Sequence, residues 1–378
     1  MAKSRFFLAL SVALLAGCVS FDYRYSPAQE QQLISRVLAI APEAPLISPL
    51  YLSESAKAVL DKRIKRGWGD EEKLNQLRDF LFDKKEMHLS YSADKTKTAM
   101  EVWQTHTGNC LSMTSLFIAA ARYVGLDAGY ETVDVRPTWD QQGDTMIRYE
   151  HIIAVGHLIG GREYVVDFLP DFVIGDRKSM RITDRQAVAL YYNNLGAESL
   201  IDGRTKQAAS YLAQAVQING SLSDAWNNLG AALRRSGDDE LAEFAFQRAV
   251  HLDMDNYSAL TNLAQFYQSR GMEAEAKYFV ARINAYRRRN PYYHYYIAHY
   301  LYEQGEYKKA IYLLEAAVSL KRDEPEFYLA LARSYAKLGN NVESRHYKVL
   351  AAEYAKGQRM PAPRARDHRF WIQNYSVN

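Results

Sequence analysis

The chain has 378 residues, of which 48% are hydrophobic and 24% charged, with a formal net charge of +3. Those proportions are ordinary for a globular chain and leave room for two domains. The near-neutral balance argues against nucleic acid as a partner.

At the N-terminus, Lys3 and Arg5 form a positive region, residues 6–15 form a short apolar stretch, and small residues lead to Cys18. About ten apolar residues are too few to span a bilayer, which needs roughly 20, so residues 1–17 read as a cleaved signal. The ending Leu15-Ala16-Gly17-Cys18 resembles the lipobox of bacterial lipoproteins. That resemblance implies diacylation of Cys18, cleavage before it and acylation of the new amino group. Several acyl chains give stable anchoring where one is marginal. Val19 follows the cysteine, where an Asp in that family signals retention at the inner membrane. The resemblance therefore implies the outer membrane, with the body facing the periplasm. Removing Lys3 and Arg5 takes two charges from +3 and leaves +1, and residues 18–25 become a lipidated linker. No second apolar run approaches spanning length.

Residues 26–186 are expected to form a first domain. Helices are predicted over residues 27–40 and 70–84, and a third over 110–124, where Leu111, Leu116, Ile118, Ala119 and Val124 are apolar and Gly125 is a stop signal. Cys110 then heads a helix, where unpaired backbone N–H groups and the helix dipole favour the negative charge that a nucleophilic sulfur requires. With Cys18 committed to the anchor, Cys110 has no disulfide partner within the chain. After a looser polar segment at residues 137–148, residues 151–155 read as a strand, Gly160-Gly161 as a turn and residues 163–167 as the return strand. Such a hairpin puts His151 and Asp167 at one end of a sheet, and a helix packed on that sheet would bring Cys110 to them. The expected roles are attack by Cys110, proton transfer by His151 and orientation of the imidazole by Asp167.

The run Gly108-Asn109-Cys110-Leu111-Ser112, with His151 41 residues after the cysteine and Asp167 a further 16 on, resembles the transglutaminase-like superfamily of cysteine enzymes. The likeness covers roughly residues 75–180. It implies an α+β domain of papain or transglutaminase type, with the cysteine heading a helix and the histidine and aspartate on adjacent strands. Members include protein cross-linkers, peptidases and amidases, and many bacterial members resemble proteases. Gln104 precedes Cys110 by six residues, a spacing used for oxyanion donors in papain-like enzymes; Trp103 or the Cys110 backbone N–H are the alternatives. His106 and His157 read as incidental polar residues. No Cys/His cluster has metal-ligand spacing and no Gly-rich phosphate loop follows a strand, so neither metal nor cofactor is expected.

The second half repeats. Glycines recur at 203, 237, 271, 305 and 339, each 34 residues after the last, and the columns Leu195, Leu229, Leu263, Ile297, Leu331 and Ala208, Ala242, Ala276, Ala310, Ser344 keep the same step. This pattern, fullest in Trp226, Leu229-Gly230, Ala242, Phe246 and Ala249, resembles the tetratricopeptide repeat. The likeness implies five helical hairpins over residues 189–358, an all-α solenoid in which each glycine ends a first helix with positive φ. Asn194, Asn228 and Asn262 share one position and could form an amide ladder for a peptide backbone in the concave groove. Tyr292, Tyr295, His299 and Tyr302, beside Tyr296, are expected to line that groove in the fourth repeat. Arg287-Arg288-Arg289 reads as a solvated helix end. Residues 359–378 are a basic tail with no assigned role.

Two functions follow. One is an envelope thiol hydrolase, peptidase or amidase, working through an acyl-enzyme while the repeats recruit a protein or peptide; acyl transfer of the transglutaminase type is its variant. The other is a non-catalytic lipoprotein scaffold whose repeats assemble an envelope complex.

Overall fold

The computed structural model describes residues 23–40, 42, 45–93, 95–133, 139–142, 145–148, 151–168, 179–357 and 370–373. Cys18 and most of the basic tail lie outside the described residues.

The helix Cys110–Tyr123 is the axis of the first half. Its sequence is apolar on nearly every side, and a helix of that kind is stable only when enclosed. Leu111, Met113, Leu116, Phe117, Ile118, Ala120 and Ala121 are all buried. Helices Glu54–Arg63, Asp70–Phe82 and Ala99–Thr105 pack around it, and a five-stranded antiparallel sheet supports it. The strand order is Ser179–Ile182, Gly129–Val133, His151–His157, Glu163–Val166 and Phe370–Gln373. Alternation along the strands sends Ile152, Ala154, Tyr164 and Val166 into the core shared with the helix, and Ile153, Val155, Val165 and Val133 into a second cluster. Gly160 and Gly161, with φ of +98° and +81°, make the turn between the central strands.

Two segments differ from the sequence-based expectation. Residues 137–148 were expected to be irregular, yet Trp139–Gln142 and Thr145–Arg148 pair as a small antiparallel hairpin. Four-residue strands leave too little alternation to be read locally. The tail supplies the fifth strand, with Val166 opposite Phe370 and Glu163 opposite Gln373. Phe370, Trp371 and Ile372 are good strand formers, but pairing with a strand some 200 positions earlier leaves no local signature.

The second half is five helical hairpins: Asp184–Ile201 with Thr205–Ile218, Ser223–Ser236 with Asp239–Leu252, Tyr257–Ser269 with Glu273–Arg289, Pro291–Glu303 with Tyr307–Leu320, and Pro325–Lys337 with Asn341–Gly357. The five glycines of the repeat column all have positive φ, between +69° and +83°, as the turn requires. Gly196 and Gly230 serve close helix packing instead, since a Cβ there would lie 2.4 Å from Leu212 and 2.6 Å from the Phe246 ring. Helix Pro27–Leu38, opened by a Ser26–Gln29 capping box, packs on the second helices of repeats one and two rather than on the sheet. Tyr23 stacks on His251 at 4.4 Å, Tyr25 meets Phe244 edge-on at 5.1 Å, and Arg248 pairs with Glu30 at 2.6 Å. One apolar core runs from the first half through Ile283 of the third repeat, while Ala298, Ala310, Ile311, Leu314 and Leu331 form a separate one. No described helix is long and apolar enough to cross a membrane.

Candidate active site

The head of the central helix is built by several local devices. Ser90–Tyr91 pairs in parallel with Thr107–Gly108, which fixes the chain entering the helix. His106, at φ +57°, makes the preceding left-handed bend, and its carbonyl accepts the Ser90 N–H at 3.0 Å. Gly108 is tightly enclosed: a Cβ there would stand 3.0 Å from Val102 and 3.1 Å from Ser112. Asn109 is the N-cap, its Oδ1 accepting the Ser112 N–H at 3.0 Å and the Ser112 hydroxyl at 2.7 Å. Cys110 is thus the first helical residue, half-buried and not in a disulfide.

The antiparallel register brings the other two residues to the same end of the sheet. His151 opens the central strand, and Asp167 follows directly on Val166, which pairs with Ala154. His151 Nε2 lies 2.9 Å from Asp167 Oδ1, and the imidazole also interacts with the Cys110 side chain. His151 is 2% exposed and Asp167 fully buried. Burial alone would push the imidazole down, but hydrogen bonds to Asp167 and Cys110, with their charges, outweigh it and lift His151 to about 9. The imidazole is therefore charged at neutral pH. A positive imidazole within hydrogen-bond reach of a sulfur stabilises the anion needed for attack.

Cys110, His151 and Asp167 come together, and the other sequence-predicted residues have surroundings of their own. Gln104 is exposed on the Ala99–Thr105 helix, and Trp103 packs on Phe80 with ring centroids 5.6 Å apart. Among the described residues no group of three His, Cys, Asp or Glu is placed to hold a metal ion. His157 sits elsewhere, its Nδ1 3.0 Å from Asp127. In the repeats, Asn228 Nδ2 donates to Asn193 Oδ1 at 3.0 Å and Asn262 Nδ2 to Asn227 Oδ1 at 2.8 Å, so two of the three ladder asparagines already spend an amide donor on the preceding repeat. Asn194 is half-buried in the first repeat. Tyr292 donates to Glu324 Oε2 at 3.0 Å, Tyr295 lies on Phe327 with centroids 5.3 Å apart, and Tyr302 meets Tyr307, so these three serve contacts between or within repeats. His299 is exposed, as are Tyr296 and Tyr300 beside it.

The transglutaminase-like superfamily matches residues 58–161, and tetratricopeptide-repeat families match residues 223–256 and 298–339. The chain carries a transglutaminase-like domain followed by tetratricopeptide repeats. The transglutaminase-like match includes Cys110 and His151 and ends six residues before Asp167. A peroxisomal targeting signal receptor of Yarrowia lipolytica is 36% identical over 74 residues, which is 20% of this chain and 12% of that relative. The solved chain MamA MSR-1 C2 is 21% identical, covering 44% of this chain and 97% of its own, with a TM-score of 0.24. That of Pseudomonas aeruginosa pilF is 22% identical, covering 48% and 81%, with a TM-score of 0.27.

Residues whose roles sequence reasoning missed surround the candidate site rather than form it. Asn109 carries a readable signal, since an Asn immediately before an apolar helical run is an N-cap candidate. Thr96 and Glu198, whose contacts reach the same cap, carry none, because 102 positions separate them.

Proposed function

We propose that this protein is a thiol hydrolase of the cell envelope, a peptidase or amidase, anchored through lipidated Cys18 at the outer membrane and facing the periplasm. The observation that carries the catalytic reading is His151 held between Asp167, at 2.9 Å, and the Cys110 sulfur at a helix head. Cys110 Sγ attacks the carbonyl carbon of an amide, and the resulting oxyanion is met by the Cys110 backbone N–H, with Gln104 as the side-chain candidate. The C–N bond breaks as His151 gives its proton to the leaving amine. Water, deprotonated by His151, then attacks the thioester, releasing the acid and restoring the thiol. An amine in place of that water would make the same acyl-enzyme a transglutaminase. The repeats recruit a protein or peptide partner, and neither metal nor cofactor enters the reaction.

The test is labelling with a thiol-directed peptide acylating probe, read at Cys110 by mass spectrometry, together with envelope function of Cys110→Ala. Labelling that disappears in Cys110→Ala and in His151→Ala supports the reading. A folded protein inert to the probe, with full function in Cys110→Ala, defeats it. Membrane association that survives Cys18→Ser without acylation would remove the lipid anchor.

A second reading, a non-catalytic scaffold, draws on the exposed tyrosines 296, 300 and 312 of the fourth repeat. It expects Tyr296→Ala and Tyr300→Ala, and not Cys110→Ala, to abolish function.

A further inference from the structure

We infer that the first tetratricopeptide repeat is part of the active-site scaffold, with Glu198 a positioning residue that fixes the head of the Cys110 helix through Thr96 and Asn109. This rests on the reading of Cys110 as a nucleophile.

The contacts form one continuous path. Glu198 Oε1 accepts the backbone N–H of Thr96 at 2.7 Å, and Thr96 Oγ1 accepts from Asn109 Nδ2 at 2.8 Å. Asn109 Oδ1 in turn holds the Ser112 N–H and hydroxyl, and Ser112 Oγ accepts the Lys97 N–H at 2.8 Å. Asn109 must keep one rotamer for its two ends to meet Thr96 and Ser112 together, and that rotamer sets where Cys110 begins the helix. Residues 95–98 belong to no helix or strand, so no backbone ladder holds Thr96 in place. The repeat holds it instead, through Glu198 and through Asp202, whose Oδ2 meets Lys95 Nζ at 2.9 Å.

The same repeat helix also grips the far end of the nucleophile's helix. Arg122, in the last turn of Cys110–Tyr123, makes paired contacts of 2.5 and 2.9 Å with Asp184 at the start of Asp184–Ile201. One repeat helix thus braces the Cys110 helix at both ends, an arrangement that a freely hinged recruitment module does not need. Burial raises the Glu198 carboxyl, and the contacts with Thr96 and Lys95 offset that burial only in part.

The experiment measures the rate of iodoacetamide alkylation at Cys110, by peptide mass spectrometry on the full chain, across pH 5–10. Glu198→Ala is expected to slow alkylation at pH 7 about tenfold. Glu198→Gln keeps an oxygen acceptor for Thr96 and is expected to stay within about twofold of the native rate. A natively folded Glu198→Ala with the native rate overturns the assignment. If Glu198→Ala fails to fold, Thr96→Val, which keeps the N–H to Glu198 but deletes the acceptor for Asn109, carries the same two outcomes. His151→Ala separates the two levels. An unaltered Cys110 rate in that variant defeats the Cys110–His151 reading itself, whereas a slowed rate beside an unaltered Glu198→Ala defeats only the positioning role.

Discussion

His151 Nε2 meets Asp167 Oδ1 at 2.9 Å where both side chains are cut off from solvent. Removing one partner of a buried charged pair leaves the other unpaired, at a cost of about 3–5 kcal/mol. Asp167→Ala is therefore expected to lose about 3 kcal/mol of unfolding free energy at pH 6. Its loss should be smaller at pH 10, where the imidazole is neutral. Urea denaturation at the two pH values makes the comparison, and equal losses at both would contradict a charged pair.

The same pair sets a pH dependence with a definite sign. His151 is raised in the folded chain to about 9 from an ordinary 6.5, so the native state holds the proton more tightly than the unfolded state. The stability gained is complete below about pH 6.5 and is lost as pH rises through about 9. Its size is on the order of 3 kcal/mol. Titration of the imidazole by NMR in the folded protein is expected to give a midpoint near the upper value. A midpoint at or below 6.5 would mean that Asp167 and Cys110 do not outweigh the burial of the ring.

The parts legible in the sequence were those with a local cause. The 34-residue glycine column fixed where positive φ was needed, and all five glycines have it. Gly160-Gly161 between two β-branched runs marked the turn that carries His151 and Asp167 to one end of the sheet. The repeat asparagines were harder, because a recurrent amide can serve a ligand or a neighbouring repeat, and only the Asn228–Asn193 and Asn262–Asn227 distances show the second use. Contacts between distant segments were illegible: Phe370–Gln373 completing the sheet, Pro27–Leu38 lying on the repeats, and Glu198 reaching Thr96. No period or motif in either partner encodes such a pairing.

Three glycines should rank by what their missing Cβ would meet. At Gly156, on the central strand, it would fall 2.0 Å from the backbone oxygen of Asp127 and 2.6 Å from the Tyr164 ring. Neither can move cheaply, since Tyr164 also donates to that same oxygen. Gly156→Ala is expected to cost about 3 kcal/mol or more. At Gly230 the obstacle is the Phe246 ring, which can shift, so Gly230→Ala should cost about 1–3 kcal/mol. Gly237 has open space but a φ of +83°, and Gly237→Ala should cost about 1 kcal/mol. Chemical denaturation of the three variants tests the order, and a Gly156→Ala milder than Gly237→Ala would refute the close approach.

Repeats four and five should open independently of the rest. The main core ends at Ile283, and the next cluster starts at Ala298 with no buried apolar residue shared between them. At the junction Asn290 closes one helix and opens the next, its Oδ1 accepting the N–H groups of Tyr292 and Tyr293 at 2.9 and 3.2 Å. In a linear array stability is a sum of units and interfaces, so a weak interface lets the units beyond it unfold first. Hydrogen exchange is expected to show lower protection in Pro291–Glu303 and Pro325–Lys337 than in Ser223–Ser236. Asn290→Ala removes a cap of about 1 kcal/mol, and so should speed exchange beyond residue 290 about fivefold. The helix Cys110–Tyr123 should be untouched by that substitution, because its core does not include the residues that open. Uniform protection along all five repeats, or a response to Asn290→Ala that extends into the Cys110 helix, would mean that the array and the first half unfold as a single unit.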